Sequence, residues 1–150
     1  MPTYTVKYSN LSLTDKQKKS IAESITKIHK SATGANTYFA QVIFQKNKRN
    51  SHYMGGKAVK SKEIFLNGQI RSGRSPAVKK KLIKGLHSSL QIKTNLNKDN
   101  IWVYLEDLAP SQMIEYGKIL PNAGDEKKWF NSLSSNLKKR LKKIEKIDEN

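Results

Sequence analysis

Residues 14–34, TDKQKKSIAESITKIHKSATG, read as a helix with both of its ends written in. Thr14 and Gln17 have the spacing of a capping box, in which two side chains satisfy each other's backbone N–H groups. Ile21, Ile25 and Ile28 recur on one face behind them, and Gly34 supplies the residue that most easily turns a chain out of a helix. A helix over about 14–32 is expected.

The flanking segments read as strands, and the whole pattern then recurs. Residues 2–8 (PTYTVKY) alternate and are rich in Thr, Tyr and Val, and residues 38–45 (YFAQVIFQ) form a second strand pattern. Past a polar stretch come strand 63–69 (EIFLNGQ), a loop holding RSGR, a helix opening at Ser75-Pro76 with Val78, Leu82 and Leu86, and strand 101–106 (IWVYLE). At a constant offset of 61 residues, Thr14 falls on Ser75, Ile21 on Leu82, Ile25 on Leu86 and Val42 on Val103.

The expected architecture is therefore α+β and a single domain over 1–150. Two tandem β-α-β units, 2–46 and 63–107, are joined by a loop at 47–62 and followed by a C-terminal extension over 108–150. Each crossover makes its two strands parallel, so the units should build a four-stranded sheet with two helices on one face. The other face is left apolar and uncovered, which predicts self-association. Residues 110–120 (PSQMIEYGKIL) read as a short helix or turn. Residues 127–147 read as an extension ending in a basic amphipathic helix, placed to wrap a neighbouring subunit. The spacing of Leu137, Leu141 and Ile144 favours docking over a membrane surface or nucleic acid.

Composition narrows the function classes. The chain has 29 Lys+Arg against 12 Asp+Glu, a formal charge of +17, which by itself points to a polyanion. Only 4 of those residues are Arg, however, and readers of bases and phosphates rely on the planar guanidinium, so the lysine excess reads as a solvated surface. The absence of cysteine excludes disulfides, thiolate metal sites and a Cys nucleophile. No signal pattern opens the chain and no apolar stretch approaches the ~20 residues of a membrane span, so a cytoplasmic setting is expected. There is no P-loop, GxGxxG or GxSxG, and His29, His52 and His87 lack metal-ligand spacing, so neither cofactor nor metal is expected.

Five places carry candidate chemistry. Pro2 follows an initiator methionine that aminopeptidase can remove, which would expose a secondary amine held at the start of a strand. Arg71-Ser-Gly-Arg74 precedes a helix capped by Ser75, so two guanidinium groups and free N–H groups should converge on one anion, such as a substrate carboxylate. His29 lies beside the apolar stripe of the first helix, where a bordering core residue is the plainer reading. Tyr104 shares a strand face with Trp102, for which core packing is the plainer reading. Glu115, in MIEYG, is open to two readings: a base with a raised pKa, or a side chain facing water.

Taken together, Pro2, His29, Arg71, Arg74, Tyr104 and Glu115 on a doubled β-α-β chain resemble the cis-3-chloroacrylic acid dehalogenase family of the tautomerase superfamily. The segments AQVIFQ (40–45), RSGRS (71–75), IWVY (101–104), QMIEYGKILP (112–121) and WFNSLSS (129–135) are similar to that family's. Phe39 and Ile70 stand where dehalogenating members carry a leucine and a histidine, and are expected to shape the substrate pocket. The resemblance implies a homotrimer and a cofactor-free site for a small carboxylate substrate. It further implies hydration or hydrolytic dehalogenation of short unsaturated acids, with tautomerase activity as a companion. In that scheme Arg71 and Arg74 bind the carboxylate with help from His29, Glu115 oriented by Tyr104 activates water, and Pro2 gives the proton. A keto–enol tautomerase acting on an enol acid such as phenylenolpyruvate is the second expectation, and a lysine-rich nucleic-acid-binding module the third.

Overall fold

The computed structural model describes residues 2–147. Helix α1 (Asp15–Thr33) opens on Thr14, whose hydroxyl accepts from Gln17 N–H at 3.1 Å while the Gln17 side chain accepts from Thr14 N–H at 2.9 Å. It closes on Gly34, which takes the left-handed conformation with φ 72°. Helix α2 (Pro76–Thr94) is built alike: Ser75 accepts from Val78 N–H at 3.2 Å, and Asn95 takes the left-handed position at its end. Three-residue 3-10 turns at Thr37–Phe39 and Lys98–Asn100 then follow, so the internal repeat runs through caps, helices and exits alike.

In chain order the strands are β1 (Thr3–Ser9), β2 (Gln41–Lys46), a small hairpin of β3 (Tyr53–Met54) and β4 (Lys57–Ala58), β5 (Glu63–Arg71), β6 (Ile101–Leu108), and a second hairpin of β7 (Ile114–Glu115) and β8 (Lys118–Ile119). The main sheet has the order β2-β1-β5-β6. Each β-α-β unit supplies a parallel pair, and the units meet antiparallel at β1 and β5. Tyr4, Val6, Tyr8, Ile64, Leu66 and Ile70 point to the helices and close with Ile21, Ile25, Leu82, Leu86 and Leu90 into one buried core. Burying each such side chain contributes roughly 1.5–3 kcal/mol. The opposite sheet face carries Ile43, Trp102 and Tyr104 exposed. That is the uncovered face the crossover argument requires.

Some expectations shift. The second strand begins at Gln41, because Tyr38 and Phe39 belong to the 3-10 turn and pack away from the sheet. Strand β5 runs on to Arg71, so this arginine lies on the strand and not in a loop. The 47–62 connection holds the β3–β4 hairpin, and 110–120 holds a 3-10 turn and the β7–β8 hairpin. The extension forms helices α3 (Glu126–Asn131) and α4 (Ser135–Ile147). These pack on their own chain: Leu120, Trp129, Leu133 and Leu141 bury Tyr38 and Phe39 in a second core. Leu141 is fully buried, whereas Ile144 remains partly exposed. Among the described residues no helix is long and apolar enough to cross a membrane.

Candidate functional site

The start of β1 lies beside the end of β5 and the start of β2. Thr3 pairs with Gln69 and Gln41, so Pro2 stands next to Ile70 in the register and its carbonyl accepts from Gln41 N–H at 3.0 Å. Pro2 is fully buried, and Ile70 belongs to the core beneath the helices. Arg71 ends the strand. Gly73, at φ 103° in a region closed to most side chains, turns the chain toward α2 and sets Arg74 beside the exit of α1. Arg74 Nη1 donates to Thr33 O at 3.0 Å.

Arg71 and Arg74 line one cavity of about 330 Å³ together with Thr33, Gly34, Asn36, Phe39 and Glu126. Burial lowers the pKa of Arg74, and the Arg71 charge lowers it further. Arg71 is 4 % exposed and donates from Nη1 to Pro121 O at 2.9 Å and from Nη2 to Glu126 Oε1 at 2.6 Å. The two arginines thus line one cavity. The N–H groups of α2 do not join them: Ser75 takes up Val78 N–H, and no residue of α2 lines the cavity.

His29 occupies the position that Leu90 fills in the second half of the repeat, and both are buried. A buried imidazole needs an answering group, and the Tyr4 hydroxyl lies 2.7 Å from its Nδ1. Burial, joined by the Arg74 charge, pushes the His29 pKa down to about 3, so the ring is neutral at ordinary pH. Burial likewise raises the Tyr4 pKa, keeping that phenol protonated. The Tyr4 ring reaches His29 because β5 has no side chain at Gly68: a Cβ there would stand 2.5 Å from Tyr4 Cε1.

Glu115 sits half-buried on the β7–β8 hairpin. Tyr116, at the turn with φ 54°, donates its hydroxyl to Tyr38 O, and Trp129 Nε1 donates to Ile119 O at 2.8 Å, so α3 and the 3-10 turn hold the hairpin in place. Glu115 lines a groove of about 640 Å³ with Thr3, Phe39 and Tyr116. Phe39 lines both this groove and the arginine cavity and therefore forms the wall between them.

Tyr104 stands apart. It aligns with Asn67 and Thr5, two strands from β1, and its ring packs edge-on to Phe65 at 5.0 Å on the open sheet face, where it is 52 % exposed. Within one chain, then, the arginines, His29, Phe39, Pro2 and Glu115 gather at one end of the sheet, and Tyr104 does not. Sequence reasoning does not single out Tyr4 or Glu126. Tyr4 shows only strand alternation, and Glu126 meets Arg71 across 55 positions of sequence. Among the described residues no group of three or more His, Cys, Asp or Glu side chains is gathered to hold a metal ion.

The doubled β-α-β sheet and the likeness to known proteins place the chain in the tautomerase superfamily. The chain belongs to the family described as putative oxalocrotonate tautomerase enzymes, whose model matches residues 1–133. Among solved structures it is similar to N1, a member of the cis-3-chloroacrylic acid dehalogenase family. That similarity has 27% identity and a TM-score of 0.88, and covers 94% of this chain and 99% of that one. It is also similar to native Ps01740, with 26% identity and a TM-score of 0.71 over 75% of this chain and 99% of that one. A fused 4-OT described as a symmetric trimer shares the fold at 16% identity and a TM-score of 0.71, over 79% of this chain and 94% of that one. Among curated proteins, none matches the sequence significantly.

Proposed function

We propose that the chain is a cofactor-independent enzyme that adds water to short unsaturated carboxylic acids, 3-halo acids among them, with Pro2 as its acid once Met1 is removed. The observation that carries this reading is the division of the site by Phe39, with Arg71 and Arg74 on one side and Glu115 on the other. The first residues of β1 serve both sides: Thr3 lines the Glu115 groove, and Pro2 stands beside Ile70, next to Arg71. A short acid lying across the division puts its carboxylate on the arginines and its far carbon toward Glu115.

The chemistry follows from those positions. The guanidinium groups bind the carboxylate and draw electron density from the conjugated double bond, which makes the far carbon electrophilic. Neutral His29 accepts a hydrogen bond from the Tyr4 hydroxyl at Nδ1, which keeps its own N–H on Nε2 as a hydrogen-bond donor to the carboxylate. Glu115 removes a proton from water as the water oxygen bonds to the far carbon, and the double-bond pair moves to the neighbouring carbon, which the Pro2 ammonium protonates. A 3-halo adduct then expels halide as its hydroxyl becomes a carbonyl and loses its proton.

In this reading the chain works as a homotrimer and Tyr104 reaches Glu115 from a neighbouring copy. The support is that Tyr104 lies on the same open sheet face as exposed Ile43 and Trp102, the face that assembly would cover.

The separation of Tyr104 from Pro2 within the chain favours a second reading, a keto–enol tautomerase acting on an enol acid such as phenylenolpyruvate. That reaction needs the Pro2 amine as base and the arginines as anchors, but neither Glu115 nor Tyr104. Glu115→Gln separates the two. It abolishes hydration of a propynoate or 3-chloroacrylate while sparing phenylenolpyruvate tautomerisation if water activation is its role, and equal loss of both rates refutes that assignment. Pro2→Ala, measured on protein whose intact mass shows Met1 removed, should suppress both; unchanged rates refute the role of the amine.

A further inference from the structure

Arg71 already carries a carboxylate of its own chain. Two of its three nitrogens are taken by one segment, Nη1 by Pro121 O at 2.9 Å and Nη2 by Glu126 Oε1 at 2.6 Å. The third, Nε, is buried without an acceptor, although the side chain is only 4 % exposed. A buried donor left unanswered is costly, and a ligand oxygen placed there removes that cost. Glu126 is fixed from the other side as well, since its Oε2 accepts from Gly124 N–H at 2.8 Å. Partial burial would raise its pKa, but the hydrogen bonds from Arg71 and Gly124 and the Arg71 charge hold it below the usual carboxylate range. It is therefore an anion at neutral pH.

Arg71 and Arg74 bring two positive charges and Glu126 one negative, all lining the same space. A ligand with one carboxylate, accepting from the free Nε of Arg71 and from Arg74, completes a set of two cations and two anions. A ligand with a second carboxylate nearby leaves that group facing Glu126, with no third cationic side chain among the described residues lining the cavity. We propose that Glu126 is a specificity-determining residue that makes this site select monocarboxylic over dicarboxylic acids. The proposal rests on the reading of Arg71 and Arg74 as the substrate anchors.

The test uses binding of unreactive acids, so that it does not depend on turnover. Butanoate and butanedioate are titrated calorimetrically into the full-length protein and into Glu126→Gln, which keeps the size of the side chain and removes its charge. The expected result is a shift of the butanedioate-to-butanoate affinity ratio of about tenfold toward butanedioate, the effect of removing one nearby like charge from a partly exposed site. Glu126→Ser, which withdraws the side chain altogether, should shift the ratio the same way if charge is what matters, and it stands in should the glutamine variant not fold. A ratio that stays within about twofold, or equal tightening of both acids, overturns the proposal, the latter because Glu126 would then be a general competitor. Arg74→Ala that binds both acids as well as the wild type, or a wild type that binds neither, overturns the anion site itself and this inference with it.

Discussion

Gly68→Ala tests the link between the sheet and the histidine. The added Cβ would stand 2.5 Å from Tyr4 Cε1, 2.8 Å from Tyr4 Cδ1 and 3.0 Å from Leu105 Cδ2. Carbon atoms pack comfortably at about 3.5–4.0 Å, so the Tyr4 ring has to move by about 1 Å. Its hydroxyl is 2.7 Å from His29 Nδ1, and a displacement of that size takes the pair to the limit of hydrogen bonding. Overpacking of this kind costs about 1–3 kcal/mol, and weakening a buried hydrogen bond adds roughly 1 kcal/mol. The total of about 2–4 kcal/mol corresponds to a Tm lowered by roughly 4–16 °C for a chain of this size. Urea unfolding at one fixed protein concentration gives the value, since assembly would make the midpoint concentration-dependent. Tyr4→Leu in the same background clears the ring from the new methyl, so the double variant should be more stable than the sum of the two single effects by at least about 1 kcal/mol. If Gly68→Ala costs less than about 0.5 kcal/mol, or the two substitutions simply add, the ring is not pinned between β5 and His29 and the argument fails.

Three further outcomes are expected. His29 has a pKa of about 3 in the folded protein against 6.5 when free, so as pH falls through that window the unfolded chain takes up a proton that the folded one refuses. Stability therefore drops on acidification by at most roughly 1.4 kcal/mol per pH unit, and His29→Leu, which copies Leu90, should flatten the dependence of Tm on pH between about 6.5 and 4. An unchanged slope removes His29 from the account. Leu141→Ala opens a cavity under Phe39 in the second core and should cost about 2–5 kcal/mol, with chemical denaturation as the measure. Trp102→Lys places a charge on the open sheet face and should lower the oligomeric mass seen by light scattering without unfolding the chain, whereas an intact oligomer would show that this face is not the contact.

The parts of the fold that were legible in the sequence are those written in neighbouring residues. Thr14 with Gln17, Ser75 with Pro76, and the isoleucines and leucines that follow fixed both helices and the doubling, because caps and helix faces depend on contacts three or four positions apart. Tyr38 and Phe39 read as strand because an aromatic, apolar run looks the same whether it pairs in a sheet or packs under a distant helix. What decided their fate was Trp129 and Leu141, about a hundred residues further on. Arg71 and Arg74 stand out by their rarity in a lysine-rich chain, but the answering groups, Glu126 and the Thr33 carbonyl, are long-range and leave no local pattern. The Tyr4–His29 pair is hidden for the same reason, although the broken repeat at His29 and Leu90 marks where the two halves stop being equivalent.

Glu145 receives the backbone N–H and hydroxyl of Thr37 at 2.9 and 3.0 Å, and Lys30 at 3.1 Å. That one carboxylate fastens the turn carrying Phe39, the wall of the site, to the last helix of the described chain. Glu145 is synthesised after both β-α-β units, so these can have paired before the wall is locked. A ribosome-bound or prematurely stopped chain would hold its sheet and its arginines and still lack a finished pocket. Completion of the pocket is in this way deferred until the segment carrying Glu145 has been made, a timing that follows from long-range contacts.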